Sequence, residues 1–264
     1  MDPRPLSFLF KHHFLPEIKD QIRELTSFLQ TTESFLSSLH RTRLDEFIRR
    51  EKALGVKVLP DGTSLEAYFN MHYQAWPEGR LTMLLRRFFL ISLYSFIEYS
   101  LLDVCRFVRR KDVKISVSDV KGQNDIDKVK VYITKVLCAE FPSDSSRWRD
   151  IQMSRRIRNC IVHNGGEVEE GSPDRKPIED FTKANNGLLR LSGNEIILER
   201  GFCEKMLQAA KEFFALLEHS LLNFVEKNES NLESPDREFG EMYIGRPLRV
   251  EYIPPPSERR DPQK

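Results

Sequence analysis

Arg155-Arg156-Ile157-Arg158-Asn159-Cys160-Ile161-Val162-His163-Asn164-Gly165-Gly166 sets three arginines, two asparagines and a histidine at what the sequence marks as a helix end. Asn164-Gly165 is a strong terminator, because both residues tolerate the left-handed backbone of a helix C-cap. Reading backwards, Trp148, Ile151, Ile157 and Ile161 recur at near-helical spacing, and the helix is expected to begin at Ser143–Ser146, just past Pro142. Asn159 and His163 are four apart and share a face. Arg158 lies one step round, with a side chain long enough to swing toward the imidazole. Arg156 meets the same loose spacing to His163, so spacing alone does not choose between them. The histidine occupies the last turn, where the helix dipole presents its negative end.

Working outward, most of the chain reads as helix. Pro16 suits a helix start, and Ile18, Ile22, Leu25, Leu29, Leu36 and Leu39 then step by threes and fours along Glu17–Leu54, with Leu44, Phe47 and Ile48 resuming after a polar gap. The gap spoils a heptad, so a helix packed on its own domain is expected rather than a coiled coil. Ser64 caps a short helix that Pro77 and Gly79 stop, and Arg80–Arg110 follows as a long, mostly buried helix. Its basic tail, Arg106 to Lys111, is what a helix C-terminus favours in any case. Asp125–Phe141 reads as another helix. Glu167–Asp180, acidic and rich in Gly and Pro, reads as an exposed loop. Leu188–Leu191 and Glu195–Leu198, joined through Ser192-Gly193-Asn194, read as a hairpin, and Phe202–Val225 as an apolar closing helix. From Asn228 the chain turns polar and Pro-rich, which predicts a largely disordered tail, with Tyr243–Tyr252 able to dock locally.

Composition narrows the function classes. The 264 residues carry a net charge of +1, so any attraction to phosphate must come from local patches. Cys105, Cys138, Cys160 and Cys203 are widely spaced without a C-x-x-C pair, which predicts reduced core thiols. Residues 1–14 carry no cleavage pattern, and the apolar window Phe88–Leu102 is short and interrupted by Glu98, so a cytoplasmic protein without a membrane span is expected. Neither a phosphate-binding Gly-rich loop nor a nucleophile elbow is present, and no cofactor is expected. No His/Cys/Asp cluster has ligand spacing, so no metal is expected either. Trp76 and Trp148 read as packing residues.

Five arginines lie between Arg147 and Arg158, with Asp150 the only local counter-charge. Metal-free RNA cleavage needs a base for the 2′-hydroxyl, an acid for the 5′-oxygen and a fixed cation for the phosphorane. Histidine and arginine suit those tasks. Arg158-Asn159-x-x-x-His163-Asn164-Gly165, on an Arg-rich helix closed by glycines, resembles the HEPN superfamily, whose motif is Arg-polar-x(3–5)-His at a helix end. The resemblance spans roughly residues 79–228: Arg80–Val108 resembles the long helix before the motif, and Gly187–Arg200 then Gly201–Lys227 resembles the hairpin-then-helix ending of many bacterial members.

The resemblance implies an all-α fold. With the helical pattern upstream and the polar composition downstream, the expected architecture is a HEPN-like helical bundle over residues 63–228 with a small β-hairpin insert near 187–198, an N-terminal helical extension over 1–62, and a polar tail over 229–264. The resemblance also implies a metal-independent endoribonuclease whose homodimer brings two Arg and two His into one cleft, as in toxins and anti-phage defence effectors. Arg158 would stabilise the phosphorane, His163 transfer a proton and Asn159 orient the imidazole or phosphate. Glu98, a lone carboxylate in an apolar helix, would pair with Arg158. Arg149, Arg155, Arg156 and Asn164 would contact RNA. The competing expectation is a non-catalytic HEPN-like scaffold or the regulatory partner of another enzyme, in which the motif merely closes its helix.

Overall fold

The computed structural model describes residues 5–185 and 187–233. The start of the expected 229–264 tail is docked, with Glu229–Asn231 in a 3-10 turn and Leu232 buried and bridged to Arg110, and the rest, with Tyr243–Tyr252, lies outside the described residues. The fold is all-α with one small two-stranded antiparallel sheet.

The first helical run begins earlier than Pro16. It passes through α1 (Leu6–Leu9), a π-helical turn (Phe10–Phe14) and α2 (Leu15–Ala53) without leaving helical backbone. The turn widens just before Pro16, whose missing N–H leaves the carbonyl four residues back without its usual donor. What drives the early start is burial: Leu6, Leu9, Phe10 and Phe14 are all buried, and the Phe10 and Phe14 rings lie 5.4 and 4.9 Å from that of Phe107. Leu6 to Leu29 join the same hydrophobic cluster as the later helices.

Ser64 caps α3 (Leu65–His72) by accepting from the Ala67 N–H at 3.1 Å. After a 3-10 turn (Tyr73–Ala75), Pro77 opens α4 (Pro77–Phe107) rather than merely stopping α3. Proline's fixed φ and absent donor suit a first helical turn. Gly79 is buried inside that turn, where a Cβ would meet the Tyr73 carbonyl oxygen at 2.0 Å. By length and composition alone, α4 is long and apolar enough to cross a membrane, which the shorter window Phe88–Leu102 did not anticipate, and 56% of its most apolar stretch is buried within the protein.

The helix expected over Asp125–Phe141 is shorter. α5 (Asp125–Val131) passes into a π turn (Tyr132–Val136), and the chain breaks at Cys138, whose φ is +56°. Cys138 is exposed, which corrects the expectation of four core thiols, whereas Cys105, Cys160 and Cys203 are buried. α6 (Ser146–Asn164) has Ser145 as its N-cap and Gly165, at φ +64°, as its C-cap. Glu167–Asp180 is not all loop: Arg175 begins α7 (Arg175–Ala184), which buries Ile178 and sets Phe181 edge-on to Phe202. β1 (Leu189–Ser192) and β2 (Glu195–Leu198) pair in register Leu189↔Leu198 to Ser192↔Glu195. α8 (Phe202–Asn228) then packs along α6, with Trp148 held between Phe141 and Phe213. Trp76 packs on Phe69 and Phe47.

α4 lies at the centre. Leu90, Leu93, Ile97 and Leu101 are each 1% exposed or less, and their burial against α2, α6 and α8 is the main force holding the helices together. The basic tail after α4 is engaged with the protein itself. Arg110 donates to Asp112 and to the Val136 carbonyl, Arg109 pairs with Glu233, and Lys111 donates to the Ser230 carbonyl.

Candidate functional site at the end of α6

The C-terminus of α6 is built as the sequence indicates, with a further device the sequence did not suggest. The Gly165 and Gly166 N–H groups both turn back to the Cys160 carbonyl. Arg87 of α4 then grips the exit: it donates to the Gly165 carbonyl, the Glu195 carboxylate and the Ile196 carbonyl, each at 3.1 Å. Gly166 has φ +91°, and a Cβ there would meet the Arg87 guanidinium at 2.5 Å. One arginine thus ties the motif helix to the hairpin.

His163 and Asn164 are exposed on the last turn, and the His163 ring has no hydrogen-bond partner among the described residues. Arg158 has a different setting. Its guanidinium carbon lies 5.4 Å from the centre of the Tyr94 ring, and its Nη1 donates to Asn159 Oδ1 at 3.0 Å. Asn159 therefore positions the arginine rather than reaching for the imidazole. Five helical positions separate Arg158 from His163, which is about 140° of rotation and about 7.5 Å of rise. Within the chain the two point to different sides of the helix.

Tyr94 and Glu98, four apart on α4, turn the same face toward α6. Glu98 is half-buried. Burial, and then the nearby Asp125, push its carboxyl above the usual range, and Arg158 and Arg155 offset part of that rise. The expected closeness of Glu98 and Arg158 is present as an electrostatic neighbourhood rather than a direct ion pair. Burial, with the Glu98 charge adding to it, also raises the Tyr94 phenol well above its ordinary value.

The arginine cluster has more counter-charges than Asp150. Arg155 lies 3.8 Å from Asp127, Arg156 is held by Asp174, and Arg147 pairs with Glu212. These acids come from elements distant in sequence, so a local scan misses them. Of the four residues expected to contact RNA, Arg149 and Asn164 are exposed, with side chains that make no hydrogen bond or ion pair among the described residues, whereas Arg155 and Arg156 are committed to internal pairs. The Nε atoms of Arg155 and Arg158 are buried with no hydrogen-bond partner. Cys160, three residues before His163, is buried, and burial followed by the Asp174 charge raises its thiol above the ordinary value, which disfavours a nucleophilic role.

Chemically, the arrangement offers a guanidinium held by an aromatic face and an amide, a free imidazole one and a half turns on, and a half-buried carboxyl beside the arginine. Tyr94 and Arg87 are the members that sequence reasoning missed. The i to i+4 pairing of Tyr94 with Glu98 was the available signal for the first; nothing local marked the second. Among known proteins, no family model, no curated protein and no solved structure matches the chain.

Proposed function

We propose that the protein is a metal-independent endoribonuclease of the HEPN type, acting in the cytoplasm as a homodimer, in the manner of a toxin or anti-phage effector. The observation that carries this reading is the free, exposed His163 on a capped helix end, on the same helix as an Arg158 whose guanidinium is already fixed by Tyr94 and Asn159. A fixed cation costs no reorganisation when charge develops on phosphorus, and an unpartnered imidazole is open for proton transfer.

In the proposed reaction the 2′-oxygen bonds to phosphorus as its proton leaves to a base, and the bond to the 5′-oxygen breaks as an acid protonates it. A 2′,3′-cyclic phosphate and a 5′-hydroxyl result. Arg158 offsets the charge of the phosphorane, and His163 serves as one of the two proton-transfer groups. Glu98 and Asn159 position Arg158, while Arg149 and Asn164 are the free groups available to the strand.

A second copy would supply the second imidazole, and two features support that assembly. Arg158 and His163 diverge around α6, so a site using both is completed more readily across two chains. Leu84, Phe88 and Tyr99 of α4, at 46, 53 and 47% exposure, and Val162 of α6, at 45%, are large apolar side chains left in solvent on the two helices that carry the site.

The test is RNA cleavage by purified protein in EDTA. Arg158→Ala and His163→Ala should each lower the rate by about 10²–10⁴-fold, with circular dichroism and oligomeric mass unchanged. Cleavage that persists in both variants would overturn the assignment. So would an assembly that holds the two His163 rings on opposite faces.

A further inference from the structure

A second site lies away from the motif. A cleft of about 1140 Å³ opens between α2, α3, the start of α4 and the hairpin. Small-molecule sites commonly occupy about 300–1,000 Å³, so a ligand of nucleotide size fits with room to spare. Its floor is a buried ion pair: Arg86 donates to both carboxylate oxygens of Glu33 at 2.7 and 2.9 Å and to the Leu198 carbonyl at 3.1 Å.

Charge pairing selects the ligand chemistry. Glu33 is answered by Arg86, and Glu199 by Arg190 at 2.7 Å. His40 is fixed by Asn70 Oδ1 at 3.0 Å and packs edge-on to Phe69 and Tyr73. Arg41 of α2 and Arg200 just after the hairpin, both exposed and lining the cleft, make no hydrogen bond or ion pair among the described residues. The remaining carboxylate, Glu66, sits in the first turn of α3, where the helix dipole offsets part of its charge. Two unpaired guanidinium groups therefore outnumber the one unpaired carboxylate bordering the space, and its remaining charges are matched in ion pairs. Planar guanidinium forks match phosphate oxygens two at a time. Leu44, Met71 and Met83, which line the cleft and keep accessible surface, give it an apolar side for the uncharged part of a ligand.

We propose that this cleft binds a small phosphorylated molecule of nucleotide size through Arg41 and Arg200. The inference is independent of the ribonuclease reading, because it is read by binding rather than by cleavage.

Titration calorimetry on the full chain, with adenosine monophosphate, uridine monophosphate, inorganic phosphate and adenosine as probes, tests it. At least one nucleotide should bind, adenosine should not, and inorganic phosphate should bind more weakly than the nucleotide. Arg41→Ala and Arg200→Ala should each weaken binding about tenfold. Both side chains are exposed, so the fold should survive, and circular dichroism checks it. Arg41→Lys and Arg200→Lys serve as second variants that keep charge while losing the fork. Arg158→Ala should bind the nucleotide as wild type does, and hydrogen exchange should slow in the hairpin and in α2 near residues 33–44. No binding of any phosphorylated probe, or binding lost in Arg158→Ala but kept without Arg41 and Arg200, would overturn the proposal.

Discussion

Removing the Glu33 carboxylate should be among the most damaging single changes available in this fold. The pair it forms with Arg86 is side-on and two-pronged, and the side chains are 7 and 11% exposed. Glu33→Ala strands a guanidinium that keeps only the Leu198 carbonyl. Breaking a buried pair from one side costs about 3–5 kcal/mol, because the surviving charge stays largely desolvated; water in the cleft and the more distant Glu199 place this pair toward the lower end. Glu33→Gln retains one acceptor oxygen and should cost about half as much, roughly 1.5–3 kcal/mol for the lost charged hydrogen bond. The double variant Glu33→Leu with Arg86→Met should recover most of the loss, since replacing both charges with apolar groups of similar size is often neutral. Urea unfolding followed at 222 nm measures all three. At roughly 2–4 °C per kcal/mol for a chain of this class, the alanine variant should melt about 6–20 °C lower. Glu33→Ala within about 1 kcal/mol of wild type, or a double variant as unstable as the sum of the singles, would refute the claim that desolvation governs this contact.

Three further outcomes follow from the site. Gly166→Ala should destabilise more than Gly165→Ala: both glycines have positive φ, each costing about 1–2 kcal/mol for a side chain, but only at Gly166 does a Cβ collide with Arg87, and chemical denaturation ranks them. Arg87→Ala removes three donated bonds from the exit of α6 and should speed amide exchange over residues 162–168 and the hairpin, at a cost of about 1.5–3 kcal/mol; unchanged exchange would show the clamp to be idle. Glu98 has a folded-state carboxyl raised by burial and Asp125, so its ionisation works against the fold. The penalty is absent below the ordinary glutamate range and grows as pH rises through the raised value; Glu98→Gln should therefore stabilise at neutral pH and be neutral at acid pH, as denaturation at several pH values would test.

The helices and the motif's cap were legible because they are local. Asn164-Gly165 and Gly193 specify backbone conformations that the chain adopts, and the stripe in α4 announces a buried helix. What escaped was set by contacts between distant segments. Residues 6–14 become helical because Phe10 and Phe14 find Phe107 almost a hundred positions later. α7 forms within a stretch whose Gly and Pro content suggests a loop, because Ile178 gains burial and Pro177 falls in a first turn that tolerates it. At the site, the sequence placed Arg158, Asn159 and His163 on one helix end but could not reveal which neighbours each would meet. Asp127 and Asp174 claim Arg155 and Arg156, and Tyr94 claims Arg158.

β2 offers a last consequence. Its outward backbone groups are taken: the Ile196 N–H donates to the Gly166 carbonyl at 2.9 Å, and the Ile196 and Leu198 carbonyls accept from Arg87 and Arg86. An unsatisfied strand margin invites foreign chains to add on and seeds fibrous self-association. Here two adjacent arginines and a glycine loop shield that margin from intruding strands, so any such addition to the ribbon must come along β1.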